Sequence, residues 1–370
     1  MNVQYISQNY LQLYAFKKRK DLKQIYLLLA LLFAGTLSAQ DIHYSQFYNA
    51  PFVLNPGLTG IFGGDVRVTG NFRNQWHRVP VDYTTFSAAV DMNFINRTAR
   101  KGFFSGGLAF SRDQAGYSKL QLVNLGLNGS YTRAFDDNFF GTIGAQLGVN
   151  SRRFKTDQLS FDEQFDQYQG VYIPGSPTGE NFTNTSNFFL DFGLGINFRV
   201  QELKRNQLVD LLTKRSKLDF GIGVFHLNQP DQAFFAGEKV KLPMRFSPYL
   251  MGVLQLSSSL DLAGNVYGQF QTVYQEYLGM LGLNIHLSRT LGRQFAVQPG
   301  LGYRFNNVFG DAWIPNIQAT YNNWQVGFSY DLNRSDFKVA TDHRGGPEVS
   351  IRYIFRSVPA LPYFKFCPLI

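Results

Sequence analysis

The sequence contains few cysteines and few charged residues. Its 370 residues include one cysteine, Cys367, which excludes an intramolecular disulfide framework. Cys367 is therefore a free thiol, a crosslink to a partner or an incidental residue. Charged residues make up 16% of the chain, the same share as Phe, Tyr and Trp together, and 35 residues are glycine. This composition is typical of a membrane barrel, in which lipid-facing and lumen-facing residues alternate.

Long apolar runs are absent beyond the N-terminal region. Basic residues between Lys17 and Lys23 precede an apolar run at 25–33 and the small residues Ser38 and Ala39. This order is typical of a secretory signal, so we predict a signal peptide at residues 1–39; a retained anchor helix is the alternative. No later run approaches the roughly 20 apolar residues of a membrane-spanning helix. The remaining choices are a soluble exported protein and a closed barrel.

Motifs for catalysis and for metal binding are weak. The five histidines are scattered without the spacing of a zinc site. No phosphate-binding loop or nucleophile elbow is present, and nothing in the spacing of His226 and Ser247 selects them as a lipid-cleaving pair. Gly-x-Gly pairs at 193–195, 221–223 and 300–302 lie inside predicted strands, where strand bending or relief of crowding inside a barrel explains them better than a dinucleotide site. We therefore expect no enzyme activity, no cofactor and no metal site.

The net charge gives little support for nucleic-acid binding. The formal charge is +9, and removing residues 1–39, which carry five basic residues and Asp21, leaves +5. No basic cluster interleaved with aromatic residues remains. We therefore expect that nucleic acid is not a partner.

Alternation of apolar and polar residues dominates the rest of the chain. Every second residue from Phe188 to Phe198 is large and apolar, and Val66 to Gln75 shows the same period. This period of two predicts strands, several of them as long as the roughly 9 to 11 residues that cross a tilted membrane barrel. We predict an all-β fold, a transmembrane antiparallel β-barrel of outer-membrane type with about 14 strands. The predicted strands are 66–75, 84–93, 106–112, 121–133, 139–154, 188–199, 218–227, 245–256, 260–271, 276–287, 295–305, 311–321, 324–332 and 348–355.

An even strand number places both ends of the barrel sequence in the periplasm. Tight turns at 136–137, 257–259 and 322–323 then fall on the periplasmic side, as outer-membrane barrels require. The long connections at 155–187, 228–244 and 333–346 fall outside. The connection 201–217 is the exception, since it is long and periplasmic; it is either an amphipathic helix or a solvated insertion.

Residues 40–64, between the signal and the first strand, are too apolar for a disordered leader. Pro51 and the pair Asn55-Pro56 favour turns, and the large apolar residues are Tyr44, Phe47, Tyr48, Phe52, Leu54 and Leu58. We expect an ordered leader or plug, tucked into or under the periplasmic mouth. The predicted domains are the signal at 1–39, the leader at 40–64, the barrel at 65–356 and a periplasmic tail at 357–370.

Motifs near both ends of the exported chain resemble those of one known family. On the N-terminal side are Gln46, Asn55-Pro56-Gly-Leu-Thr-Gly60 and Arg73-Asn-Gln75-Trp76; on the C-terminal side are Tyr330-Asp331-Leu-Asn333-Arg-Ser335 and Glu348. This set resembles the PorP/SprF family, outer-membrane proteins tied to type IX secretion in the Bacteroidota. The family usually has Ala after the Asn-Pro pair, where this chain has Gly57. The individual roles of the motif residues are open.

The resemblance implies a location in the cell outer membrane and a non-enzymatic role in type IX secretion. It implies a barrel that anchors or helps to export a secreted surface protein, with a link to gliding motility in some members. Outer-membrane lipid, other type IX secretion components and a secreted passenger or adhesin would be its partners. The alternative is an outer-membrane channel for small solutes, because fourteen strands enclose either a plugged or an open lumen.

The longest outer connection, 155–187, which we call the long outer loop, is the candidate binding site for the secreted passenger. Exposed aromatic residues of this kind mark protein interfaces, and the loop's acidic residues would steer a basic partner rather than bind calcium, since they lack EF-hand spacing. The aromatic residues are Phe161, Phe165, Tyr168, Tyr172 and Phe182, and the acidic residues are Asp157, Asp162, Glu163 and Asp166. A channel would instead fold this loop inward as a constriction.

Overall fold

A computed structural model describes residues 41–356, apart from 76–82, 95–101, 137, 158, 167, 174, 181–183, 202–214, 235–238, 291, 307–309 and 336–337. Fourteen strands form a closed antiparallel barrel, which confirms the predicted fold. Among the described residues, no helix combines the length and apolarity needed to span a membrane. The predicted signal peptide, the tail at 357–370 with Cys367 and most of the connection 201–217 lie outside the described residues.

The strands of the barrel follow one another in chain order. A separate hairpin of two short strands, β6 and β7, lies in the long outer loop at 155–187. The strands are β1 (Val66–Gln75), β2 (Tyr83–Phe94), β3 (Gly102–Ala115), β4 (Leu120–Ala134), β5 (Phe139–Arg153), β6 (Phe165–Asp166), β7 (Val171–Tyr172), β8 (Ser186–Gln201), β9 (Lys217–Phe225), β10 (Arg245–Gln255), β11 (Leu260–Gln271), β12 (Tyr274–Ser288), β13 (Phe295–Asn306), β14 (Gly310–Tyr321), β15 (Trp324–Asn333) and β16 (Arg344–Phe355).

Pairing of β1 with β16 closes the barrel. Val66 lies opposite Phe355 and Arg73 lies opposite Glu348, so the first strand begins where the last one ends. We call this the inner end, since the sequence analysis predicts that it faces the periplasm, and the opposite one the outer end. The predicted tight turns all lie at the inner end, but the outer end also has one, Thr272-Val273 between β11 and β12. Loop length therefore separates the two ends only in part.

The predicted strand faces are confirmed. On β1, Val68 and Phe72 are exposed on the outer surface of the barrel, whereas Arg67 and Arg73 are buried in the lumen. On β8, Leu194 is exposed, whereas Asn197, three residues further along and therefore on the opposite face, is fully buried. Successive side chains of a strand point to opposite faces, so the alternation read in the sequence becomes an apolar surface and a polar interior.

Strand boundaries differ most where the ends of a strand are weakly apolar. β3 runs from Gly102 to Ala115 rather than 106–112, and β16 begins at Arg344 rather than at Glu348. Glycine and polar residues interrupt the alternation at most of these ends, and Phe103 and Phe104 place two apolar side chains in succession. Pairing with β2, β4 and β15 extends the strands through them, because backbone hydrogen bonds do not depend on the side chain.

Candidate functional site: a leader segment inside the barrel

The leader, described here from Ile42 to Gly64, passes through the lumen of the barrel. It contains a short helix, α1 (Pro51–Leu54), between two 3-10 turns at Phe47–Asn49 and Pro56–Leu58. Proline suits the first position of α1, and Asn55, held extended before Pro56, ends it. The side chain of Asn55 then accepts a hydrogen bond from the backbone of Gly57 at 2.7 Å, which caps the second turn.

The two ends of the leader lie at opposite ends of the barrel. The carbonyl of Ile42 accepts a hydrogen bond from Arg245, the first residue of β10, at the outer end. Near the other end of the leader, Asp65 pairs with Phe355 at the inner end. The sequence analysis predicts a leader in or under the periplasmic mouth. In the structure the leader lies deeper in the barrel, because it spans the lumen and its start reaches the outer end.

A buried carboxylate holds the start of the leader. The backbone N–H groups of Ser45 and Gln46 both donate to the carboxylate of Glu348, each at 2.7 Å. Glu348 lies on β16 and is 1% exposed. Two adjacent N–H donors satisfy both oxygens of the carboxylate, so a charge that would be costly to bury becomes a specific contact with peptide backbone.

Two arginines and a second carboxylate complete this cluster. Asp331 on β15 is paired with Arg73 at 2.7 Å and with Arg304 at 2.9 Å, and it accepts a hydrogen bond from the Ser45 hydroxyl at 2.8 Å. Arg73 also donates to the carbonyl of His43 at 2.8 Å. The barrel charges are thus paired with one another and with the leader, as buried charges must be.

The side chains of Gln46 and Asn49 contact the same wall of the barrel. The Gln46 amide donates to Ser329 and to the Glu348 carbonyl, both at 3.1 Å, and accepts from Ser350 at 2.7 Å. The Asn49 amide donates to Ser350 at 2.9 Å and accepts from Gln325 at 3.1 Å. These partners lie on β15 and β16, so the leader is bonded along the strands that close the barrel.

The inner half of the leader contacts other strands. The Asn55 amide donates to the carbonyl of Ile196 on β8 and to the Tyr249 hydroxyl on β10, at 2.8 and 2.9 Å. Near the inner end, the Gly60 N–H donates to Asp91, whose other partner is Arg67. Apolar packing accompanies these bonds, since Phe47, Leu54, Leu58 and Ile61 share a buried cluster with Tyr249, Tyr267, Leu278 and Ile314.

Inward-facing glycines make room for the turn at Asn55-Pro56. A Cβ atom on Gly144 of β5 would lie 2.3 Å from the Pro56 carbonyl oxygen, and one on Gly223 of β9 would lie 2.5 Å from the Leu54 oxygen. Gly195 meets the Asn55 side chain in the same way. The Gly-x-Gly pairs at 193–195 and 221–223 thus relieve crowding inside the barrel, as we interpreted them.

Replacing Gly144 with alanine is expected to destabilise the protein by about 1–3 kcal/mol, because the new methyl group displaces backbone rather than a flexible side chain. Unfolding by urea in detergent micelles measures the loss. The matched control is Gly129→Ala on β4, whose Cβ would meet nothing within 4 Å. Equal stability of the two variants would contradict the close approach of the leader to β5.

Many of the motif residues come together around the leader. Gln46, Asn55, Pro56 and Gly60 belong to it, and Arg73, Asp331 and Glu348 bind it. Asn333 and Ser335 instead organise the connection from β15 to β16: the Asn333 amide donates to Thr341, and the Ser335 N–H donates to Asp311. Gln75 and Tyr330 pair within the sheet, and Trp76 lies outside the described residues.

The sequence analysis missed several residues that hold the leader, chiefly Arg304, Arg245 and Asn49. Arg304 is almost fully buried and joins Asp331, Asp311 at 2.6 Å and Ser45. Arg245 donates to the carbonyls of Ile42 and Val53 at 3.2 and 2.9 Å. The places of Arg304 and Arg245 in the alternation of their strands were a usable signal. A charged residue on the lumen side of a strand needs an internal partner.

The long outer loop forms a small exposed hairpin. Phe165 on β6 pairs with Tyr172 on β7, and the Tyr172 hydroxyl donates to Gln164 at 2.8 Å. Tyr168 at the tip is fully exposed, and Phe165 and Tyr172 are about half exposed. Phe161 is half-buried, and Phe182 lies outside the described residues. Three of the five predicted aromatic residues therefore form an apolar surface at the outer end.

The part of the chain that the structure describes contains no group of three or more His, Cys, Asp or Glu residues that could hold a metal ion. Most of the buried carboxylates are paired with arginine instead, and Asp191 lies 2.9 Å from Nδ1 of His226. The arrangement provides hydrogen-bond donors and acceptors for peptide backbone, which suits binding of a polypeptide segment.

Comparison with known proteins gives one family and distant structural similarity. The family model described as type IX secretion system membrane protein PorP/SprF matches residues 36–353. No curated protein matches the chain. Similar solved structures include the toluene transporter TbuX of Ralstonia pickettii, with 10% identity, 87% of this chain and 96% of that chain covered, and a TM-score of 0.45. A FadL homologue of Pseudomonas aeruginosa has 11% identity, covers 82% and 93%, and has a TM-score of 0.43.

Proposed function

The chain belongs to the PorP/SprF family of type IX secretion system membrane proteins, and from this premise we propose that it retains a secreted passenger protein at the cell surface. As a family member it is an outer-membrane component of the secretion system with a β-barrel fold. The finer role, binding the passenger through the outer loop rather than conducting small solutes, is the proposal.

The leader inside the lumen is the observation that supports retention over conduction. Its residues from Tyr44 to Ile61 are largely buried against the barrel wall, and hydrogen bonds join them to at least β1, β8, β10, β15 and β16. Diffusion of a solute along this path would require the loss of these contacts. A lumen filled by the leader therefore favours a barrel that binds its partner through the loops at its outer rim.

The hairpin of β6 and β7 supplies a rim surface for a partner. Tyr168 is fully exposed at its tip, beside the exposed Val171 and Ile173. The same loop carries Asp157, Asp162, Glu163, Asp166 and Glu180 against a single basic residue, Lys155. Apolar contact surrounded by negative charge suits a passenger segment that is apolar and basic.

Replacing Tyr168 with alanine is expected to weaken retention of the passenger about tenfold, since a tyrosine anchor typically contributes 1–2 kcal/mol to an interface. The measurement is the ratio of surface-bound to released passenger, found by comparing the surface and medium proteins of cells. The change leaves the hairpin intact because the hydrogen bonds within it come from backbone groups and from the side chains of Gln164, Asp166 and Tyr172. Val339→Ala is the matched control, as Val339 is 84% exposed in another loop at the outer end.

Solute permeability separates the two candidate functions. In lipid vesicles that contain the purified protein, Tyr168→Ala is expected to leave the uptake of small sugars unchanged. A rise in permeability together with unchanged passenger retention would favour the channel and overturn the proposal.

A further inference from the structure

The inner surface of β15, β16 and β1 has the features of a peptide-binding site. We call this surface the seam wall, because these strands close the barrel, and define it by Gln325, Ser329, Asp331, Asn71, Arg73, Glu348 and Ser350. It both accepts hydrogen bonds from the leader's backbone and donates to it. Glu348 accepts from the N–H groups of Ser45 and Gln46, and Arg73 donates to the carbonyl of His43. Asn71 also donates to the carbonyl of Asn49, at 3.3 Å.

Two leader side chains give this recognition its sequence preference. Gln46 and Asn49, three residues apart, direct their amides to the seam wall and donate and accept there. A buried amide without these partners would cost free energy. The seam wall is therefore complementary to a segment with Gln-x-x-Asn spacing and a 3-10 turn at Phe47–Asn49, which it binds through the backbone and the two amides.

The opposite wall of the lumen makes fewer hydrogen bonds with the leader, although Ser130 on β4 donates to the Thr59 carbonyl at 2.8 Å and Gly144 on β5 lies close to Pro56. On β4 and β5, both polar atoms of the Asn128 amide and Nδ2 of Asn150 are buried with no hydrogen-bond partner among the described residues. Gly63, just before the first strand, is exposed and has open space around it. The sequence predicts cleavage after Ala39. After that cleavage, the covalent link between the leader and the barrel is the short stretch around Gly63 that leads into β1.

We propose that the seam wall is a binding site for a polypeptide segment, which the leader occupies in cis and which a segment of another protein with Gln-x-x-Asn spacing can occupy in its place. The site is distinct from the outer hairpin and takes a different kind of ligand, an uncharged peptide segment rather than a basic surface. Whether a peptide segment is bound to the seam wall decides whether the lumen is filled.

The test uses the full chain with a protease recognition sequence inserted after Gly63. After cleavage in detergent micelles, the leader is held only by non-covalent contacts. A synthetic peptide of residues 42–60 with a fluorescent label is then added. The expected result is slow replacement of the cut leader by the labelled peptide, seen as a rise in fluorescence anisotropy, and weaker binding to the uncut protein, in which the tethered leader competes for the site.

Two variants connect binding to the seam wall. A peptide with Gln46→Ala and Asn49→Ala is expected to bind at least about a hundredfold more weakly, because it loses several buried hydrogen bonds. Cut protein with Glu348→Gln is expected to bind the unaltered peptide about tenfold or more weakly, since the backbone donors lose a charged acceptor.

Two outcomes would overturn the proposal. One is a cut leader that stays in the barrel for days without exchange, which would make it a fixed structural plug. The other is binding of the altered peptide as tightly as the unaltered one, which would remove the proposed specificity. Neither outcome depends on Tyr168 or on passenger retention, so failure here leaves the proposed function standing.

Discussion

Replacing Asp331 with asparagine is expected to destabilise the protein by about 3 kcal/mol, the lower end of the cost of breaking a buried ion pair. The carboxylate of Asp331 is shared by Arg73 and Arg304, and all three residues are at most 2% exposed. Asparagine keeps the size of the side chain but leaves both guanidinium groups with less negative charge. The loss is not larger because Arg304 keeps Asp311 at 2.6 Å and Arg73 keeps Glu348 at 3.7 Å.

The measurement is the free energy of unfolding in urea, with the protein in lipid vesicles. Protease digestion from the outer end adds a second readout, because Asp331 also holds Ser45 and its loss is expected to loosen the start of the leader. Asp342→Asn is the matched control: its pair with Arg344 is exposed and 3.9 Å long, so the change is expected to cost less than about 1 kcal/mol. Equal losses in the two variants would contradict the assigned role of Asp331.

Replacing Leu194 with arginine is expected to cost about 2–4 kcal/mol, because it puts a charge on the lipid-facing surface near the middle of the membrane. Leu194 lies in the centre of β8 between Ala145 of β5 and Val224 of β9, and its side chain is 49% exposed on the outside of the barrel. The cost appears as a lower urea midpoint for folding into vesicles.

Val200→Arg provides the depth control on the same strand and the same face. Val200 is the second-to-last residue of β8 and is 42% exposed, so its arginine can reach the headgroup region and is expected to cost about 1 kcal/mol or less. A larger loss at position 200 than at position 194 would place the membrane differently along the barrel.

The barrel was predictable from sequence because its signals are local. Alternation with a period of two identifies a strand and its two faces without knowledge of its neighbours, and β1, predicted at 66–75, has these bounds in the structure. The strand faces put Arg73, Asp331 and Glu348 on the lumen side. What the alternation does not contain is which inward residues meet, since any two strands could be neighbours until pairing is known.

The leader shows where this reasoning stops. Its aromatic residues and prolines indicated an ordered segment, and in the structure Arg67 and Arg73 donate to its carbonyls at Leu58 and His43. Its depth in the lumen was not predictable. That depth depends on glycines of β5, β8 and β9, whose missing side chains make space only after these strands are side by side.

The sequence by itself determined the strands, their inward and outward faces and the family to which the chain belongs, because these depend on residue types at short or fixed spacings. Only the tertiary structure decided that the leader threads the lumen and reaches the outer end, and that Ser45 meets Glu348 across 303 positions of sequence. The physical reason is closure. Pairing of β1 with β16 brings the first and last strands together, and a buried carboxylate there needs donors that the leader's backbone supplies.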